Sequence, residues 1–194
     1  MNICVYSSSS DVIEPVFFAA AAQLGAAVAR RGDILVYGGC SIGLMGAVAR
    51  AAQQNGGRVI GIIPTFMHQR GLTHAHCDEL ILTETMRERK ALMEARSDAF
   101  IALPGGFGTL EEMLEVITLK QLQRHRKPVL FLDVERFYAP LQLLFEHILE
   151  HRFAKPAYRD LYAFVPDVAS GLAYLDQYQP PQLVSKWSDT GSAR

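Results

Sequence analysis

Three cysteines in 194 residues, Cys4, Cys40 and Cys77, form no CxxC pair. They are too few and too scattered for a disulfide framework, and they read as reduced thiols of a cytoplasmic chain. An excess of one charge is also missing, with 19 Lys and Arg against 20 Asp and Glu. That balance excludes a nucleic-acid binder working by bulk electrostatics but leaves room for a local basic pocket. No apolar run is long enough to span a bilayer. The opening MNICVYSSSS has no basic segment followed by a long apolar one, so it reads as a first strand and not as a secretion signal. There is no internal repeat and no break in composition to mark a second domain.

What is present is a strict alternation. Short β-rich runs fall at Asn2–Tyr6, Ile34–Tyr37, Arg58–Ile63, Glu79–Thr83, Ala99–Leu103, Val129–Leu132 and Ala163–Val165. Helical patterns lie between them near 13–31, 42–55, 85–96, 110–124, 136–150 and 167–176. Runs such as ILVY, VIGII and VLFL lack polar alternation, which suits parallel strands covered on both faces. The pattern predicts a Rossmann-like α/β fold, a doubly wound parallel sheet of about seven strands with helices on both faces. Residues 1–178 are expected to form one nucleotide-binding domain, and 179–194 a polar, frayed tail. Thr65–Asp78, rich in His and Gly, reads as a surface loop.

In such sheets ligands bind outside the carboxyl ends of the strands, and the unusual residues of this chain sit there. Pro104-Gly105-Gly106-Phe107-Gly108-Thr109-Leu110-Glu111-Glu112 follows one strand and opens a helix. Its glycines let backbone N–H groups approach an anion, and the helix start favours negative charge. Thr109 and Glu112 have capping-box spacing, so Glu112 reads either as a cap or as a functional carboxylate that stays ionised near the helix start. A second glycine turn, Gly38–Gly46, is neither GxGxxG nor a Walker loop; it serves helix packing or ligand contact equally well. Thr85 and Glu88 again have capping-box spacing. The helix they open carries Arg89, Lys90 and Arg96, with Arg89, Met93 and Arg96 on one face. Cations there oppose the helix dipole, which suggests a phosphate or sugar clamp as an alternative to a solvated face. Ser7–Ser10 either contacts ligand or forms a polar turn.

Two metal patterns are weaker. His147-Ile148-Leu149-Glu150-His151 matches HxxEH, but it lies after the sixth strand, and a zinc site there would need a third ligand and a catalytic cleft. His68, His74, His76 and Cys77 fit no standard zinc module. No metal site is expected. A pyridoxal-phosphate decarboxylase needs a Schiff-base lysine with a partner for the pyridinium nitrogen, and Lys90, Lys120, Lys127, Lys155 and Lys186 offer no convincing arrangement.

The segments YGGCSIGLMGAVA, VIGIIP, MRERKALM, SDAFIALPGGFGTLEEMLEVIT and KPVLFLD resemble, in one register, the LOG (Lonely Guy) family. Its members are cytokinin riboside 5′-monophosphate phosphoribohydrolases, long mislabelled lysine decarboxylase-like. The resemblance implies hydrolysis of plain or N6-modified AMP to free base and ribose 5-phosphate, no organic cofactor, and a homodimer or higher assembly. It implies catalytic roles for Arg89 and Glu112. Candidate substrate-binding residues are Ser8, Lys90, Gly105, Gly106, Phe107, Gly108, Thr109, Leu110, Glu111 and Thr118. The chain departs from the family pattern at Ser7-Ser8, where Cys-Gly is usual, and at Cys40, Arg87 and Leu119, where Gly, His and Trp are commoner. Near Gly71 an acidic residue is replaced. The expected partners are a nucleoside 5′-monophosphate and a second copy of the chain, with no nucleic acid and no membrane. The alternative is a non-catalytic nucleotide carrier or sensor built on the same loops.

Overall fold

The computed structural model describes residues 1–182. The polar tail assigned from Gln179 falls beyond that limit except for its first four residues, and Lys186 lies outside the described residues as well.

Seven parallel strands form one sheet: β1 (Asn2–Tyr6), β2 (Ile34–Tyr37), β3 (Arg58–Pro64), β4 (Glu79–Thr83), β5 (Ala99–Ala102), β6 (Val129–Leu132) and β7 (Ala163–Val165). Their order is β4-β3-β2-β1-β5-β6-β7. The chain winds outward from β1 through β4, then crosses back so that β5 pairs with the free side of β1. The loops after β1 and β5 therefore diverge to opposite faces of the sheet and leave a crevice between them, where this topology places ligands. Register sharpens the point. Tyr6 pairs with Ala102 and Val5 with Tyr37, so Ser7, Leu103 and Gly38 leave the sheet side by side.

The helices are α1 (Pro15–Arg30), α2 (Gly43–Gln54), α3 (Thr65–His68), α4 (Met86–Ala95), α5 (Phe107–Gln121), α6 (Ala139–Glu150) and α7 (Val168–Gln177). Strand side chains alternate between two buried layers. Ile3 and Val5 of β1 face α1, α2 and α7 through Leu24, Val28, Leu44, Val48 and Leu175. Cys4 and Tyr6 face α4, α5 and α6 through Met93, Met113, Val116 and Phe145. Both faces are covered, which is why the strands are continuously apolar.

Two local expectations change. The segment 65–78 is not a free loop: it opens with the single turn of α3, and its later part lies against the turn after β2. Cys40 bridges Thr73, Ser41 N–H donates to the Leu72 carbonyl, and His74 N–H donates to that of Gly39. Two 3-10 turns, Val134–Arg136 and Pro156–Leu161, complete the irregular connections. Finally, α5 begins at Phe107, three residues before the expected start.

Candidate active site

The crevice at the switch point is a cleft of about 440 Å³, lined by Ser7–Ser10, Met45, Met67, Met86, Arg89, Gly106–Thr109 and Glu112. The loop after β1, the single turn of α3 and the starts of α2, α4 and α5, all distant in sequence, meet in it.

Arg89 comes from the first turn of α4. Thr85 caps that helix as its spacing predicts, with Oγ1 accepting from Glu88 N–H at 3.1 Å. The Glu88 carboxylate reaches back one residue further, to Glu84 N–H. Arg89 is buried, an arrangement a lone arginine cannot sustain. Its Nε donates to the Ile62 carbonyl at 3.1 Å and its Nη1 to Glu112 Oε1 at 2.5 Å. The guanidinium lies directly over Gly38, where a Cβ would stand 2.1 Å from Nη2. The glycine after β2 therefore makes room for the arginine.

Glu112 is not a cap. The N-cap of α5 is Gly106, in extended conformation and with no side-chain hydrogen bond. Thr109 and Glu112 sit inside the helix, both buried, so the capping-box reading of that pair is wrong. Thr109 Oγ1 instead occupies the space beside Gly105, 2.1 Å from where a Cβ would be. Burial pushes the Glu112 carboxyl above the ordinary glutamate range, and the Arg89 charge pulls it partly back. The shift runs opposite to the lowering that a helix start alone would cause. Beneath it, burial drives the Cys4 thiol up to about 12 and raises the Tyr6 phenol as well. Both stay neutral and neither is a nucleophile.

The two glycine turns now separate. At α2 the first donors are taken by the protein itself: Gly43 N–H by Asp11 Oδ1 at 2.8 Å, Leu44 and Met45 N–H by the Ser8 carbonyl. At α5 the N–H groups of Phe107, Gly108 and Thr109 have no acceptor among the described residues; the first to pair is Leu110, to the Gly106 carbonyl. Unfilled donors at a helix start are an anion site. The Gly38–Gly46 turn serves packing, and the Gly105–Thr109 turn is open.

The other sequence candidates fall in different places. Ser8 braces the cleft through its carbonyl, through its N–H to the Pro104 carbonyl, and through Oγ, which accepts from Ser10 N–H. Phe107 lies at the rim, 93% exposed. Leu110 is half-buried against the α4–α5 core. Lys90 does not line the cleft; its ammonium bridges Glu111 and Glu115 and ties α4 to α5. Arg96 leaves the Arg89–Met93 face and pairs with Glu79. Thr118 donates to the Leu114 carbonyl and lines a separate groove between α5 and α6. The apolar wall of Met45, Met67 and Met86 was not foreseen, because Met67 reaches the cleft only once the 65–78 segment has folded over. Among the described residues no group of three or more His, Cys, Asp or Glu is placed to hold a metal. His74 is held by Gln53 at 2.7 Å, and the rings of His147 and His151 lie tilted against one another at 4.2 Å, with no third ligand placed beside them among the described residues.

Comparison with known proteins decides the family. A family model described as "Possible lysine decarboxylase" matches residues 45–175. A probable cytokinin riboside 5′-monophosphate phosphoribohydrolase of Oryza sativa subsp. japonica is 42% identical over 93% of this chain and 73% of its own. A cytokinin riboside 5′-monophosphate phosphoribohydrolase of Arabidopsis thaliana is 40% identical over 99% of this chain and 92% of its own. The chain belongs to the LOG family. Solved structures at lower identity share the fold: the molybdenum cofactor binding protein of Rippkaea orientalis superposes with a TM-score of 0.70 at 22% identity, covering 90% of this chain and 94% of that one. The molybdenum cofactor carrier protein of Chlamydomonas reinhardtii gives 0.69 at 23%, covering 91% and 96%. As a LOG-family member the chain is similar over nearly its whole length to proteins named for hydrolysis. Among the described residues no lysine lines the cleft to support the decarboxylase label. Among the described residues no helix is long and apolar enough to cross a membrane.

Proposed function

We propose that this LOG-family protein hydrolyses the N-glycosidic bond of adenosine 5′-monophosphates, plain or N6-modified, to free base and ribose 5-phosphate, as the names of its relatives indicate. One observation carries the reading. The buried Arg89–Glu112 pair and the open start of α5 lie in the same cleft, with Glu112 five residues, about 7.5 Å of helix rise, beyond Phe107. That separation suits a ribose strung between an anchored 5′-phosphate and a carboxylate.

The chemistry follows from the groups present. Breaking the C1′–N bond sends its electron pair to the base and leaves positive charge on the ribose ring. Water adds at C1′, one of its protons is lost, and the departing base nitrogen gains one. Ionised Glu112 stabilises the ring cation or takes the proton from water. Arg89 orients that carboxylate and lies where it can meet the sugar or base. Binding energy from the phosphate, remote from the reacting bond, positions C1′. Such a hydrolysis calls on water and a carboxylate and on no organic cofactor. Three free cysteines and a near-neutral charge support a cytoplasmic protein with a small-molecule partner and no nucleic acid.

The phosphate anchor is tested by comparing AMP with adenosine. Turnover is expected for AMP, with kcat/KM lower for adenosine by at least about two orders of magnitude, because the anchoring energy is absent. Equal turnover of the two would remove the anchor from the mechanism. A carrier or sensor, the second reading, shares the fold of the molybdenum cofactor proteins, but a carboxylate buried beside an anion site opposes simple binding.

A homodimer with its interface beside the cleft is also proposed. Of the apolar residues on α4 and α5, Met93, Met113 and Ile117 are buried in the core and Leu92 packs partly against it, whereas Met86 and Leu114 are 40% and 42% exposed. Leu82 and Phe107 are exposed as well. Light scattering at micromolar concentration is expected to give twice the monomer mass of 21.5 kDa, and a monomer there would count against the interface.

A further inference from the structure

Four serines follow β1, and they do different work. Ser8 Oγ accepts from Ser10 N–H at 3.1 Å, Ser10 Oγ accepts from Val12 N–H at 3.3 Å, and Ser9 is exposed. These three form the polar turn. Ser7 takes no part in it. It is 6% exposed, lines the cleft with Arg89, Thr109 and Glu112, and its Oγ is sealed without a hydrogen-bond partner. Among the described residues only the Tyr158 hydroxyl shares that condition, and it lies elsewhere. A buried hydroxyl with no partner carries an uncompensated desolvation cost. On the wall of a ligand cleft, that cost is explained by a ligand that completes the bond.

The neighbouring groups determine which part of a ligand suits it. The open N–H groups of α5 only donate, so they take an anion. Arg89 only donates and is engaged by Glu112 and the Ile62 carbonyl. Ionised Glu112 only accepts. Among the described residues of the wall, Ser7 carries the hydroxyl that is sealed from solvent and left without a partner; a hydroxyl both donates and accepts, which matches a neutral hydroxyl of a ligand. Its position agrees. Tyr6 pairs with Ala102, so Ser7 emerges beside the strand that leads into Pro104–Gly106. A sugar held between the anion site and Glu112 passes this point.

We propose that Ser7 is a ribose-contacting residue: when the nucleotide binds, its hydroxyl turns about its one side-chain torsion into the cleft and hydrogen-bonds a ribose hydroxyl. This rests on the nucleotide-hydrolase reading and deepens it by assigning the sugar recognition. Because the bond forms only with ligand, the free protein carries the cost and the complex is relieved of it.

The test compares wild type and Ser7→Ala on AMP, 2′-deoxy-AMP and 3′-deoxy-AMP, with thermal melting of both proteins. The variant is expected to melt at the wild-type temperature or slightly above, since it loses an unsatisfied hydroxyl and no contact. On AMP its kcat/KM is expected to fall about tenfold, the effect of one hydrogen bond to a neutral group. With one of the two deoxy substrates the difference between variant and wild type should vanish, because the partner hydroxyl is gone. An unchanged rate on AMP, or an equal loss on all three substrates, overturns the proposal. So does a fall in Tm of several degrees, which would mean that Oγ is bonded within the protein. If wild type cleaves none of the three, the hydrolase reading fails on its own. Calorimetry with ribose 5-phosphate then decides Ser7: weaker binding to the variant upholds the contact, while equal binding, or none to either protein, removes it.

Discussion

Arg89→Ala and Glu112→Gln are each expected to lower kcat on AMP by about two orders of magnitude or more, the usual loss when a positioned charged group is removed from a site. The buried contact between them at 2.5 Å shapes how that result must be read. Truncating one member of a buried ion pair leaves the other without compensation and costs about 3–5 kcal/mol. Loss of turnover alone then does not separate a dead site from a poorly folded protein. Glu112→Gln keeps an oxygen that can accept from Arg89 and removes only the charge, so it is the milder probe. The cleaner control replaces both. Arg89→Met/Glu112→Leu puts apolar side chains of similar volume in the same space, a change that is commonly neutral or stabilising. It should melt near wild type and have no turnover. If the double variant retains activity, the pair serves the fold and Glu112 is not the reacting carboxylate. The pH profile gives an independent readout. Activity that needs ionised Glu112 is present above its folded pKa and lost as pH falls through it. Burial raises that pKa, so the acid limb should lie at higher pH than an exposed glutamate would give.

Much of this architecture is legible in the sequence because parallel strands buried on both faces carry uninterrupted apolar runs. ILVY, VIGIIP and VLFL became β2, β3 and β6. The loops at their carboxyl ends follow from the topology, so the Pro104–Glu112 and Arg89 segments could be brought to one edge before any coordinates. Side-chain partners were less legible, since local spacing cannot see across elements. Thr109-x-x-Glu112 has the spacing of a cap, but in the fold Glu112 turns inward to a cation 23 residues earlier, and the exposed backbone of Gly106 starts the helix instead. Lys90 next to Arg89 reads as one basic cluster. A helix turns about 100° per residue, so only Arg89 enters the cleft while Lys90 meets Glu111 and Glu115 on the neighbouring helix. The four serines look alike in sequence, and only their hydrogen bonds tell Ser7 from the other three. Met67 belongs to a segment whose placement depends on the bridge between Cys40 and Thr73, a pairing no periodicity announces.

Gly38→Ala tests the site from a residue that contacts no substrate. Gly38 has an ordinary backbone conformation, so alanine brings no strain in φ. Its new methyl would stand 2.1 Å from Arg89 Nη2 and 3.1 Å from Met45 Sδ. The guanidinium must give way, and it is not free to do so, because Ile62 and Glu112 hold it from the other sides. Overpacking of this kind costs about 1–3 kcal/mol of stability. The effect on rate should be larger: a displacement of about 1 Å in a positioned group can lower the rate about a hundredfold. The expected outcome is a protein that folds and melts a few degrees early, with kcat/KM on AMP down by about two orders of magnitude. If the loss acts through Arg89, Gly38→Ala/Arg89→Ala should be no slower than Arg89→Ala alone, since removing the arginine removes the clash. Fully additive losses would show that Gly38 acts on the cleft by another route, with Met45 the nearest candidate.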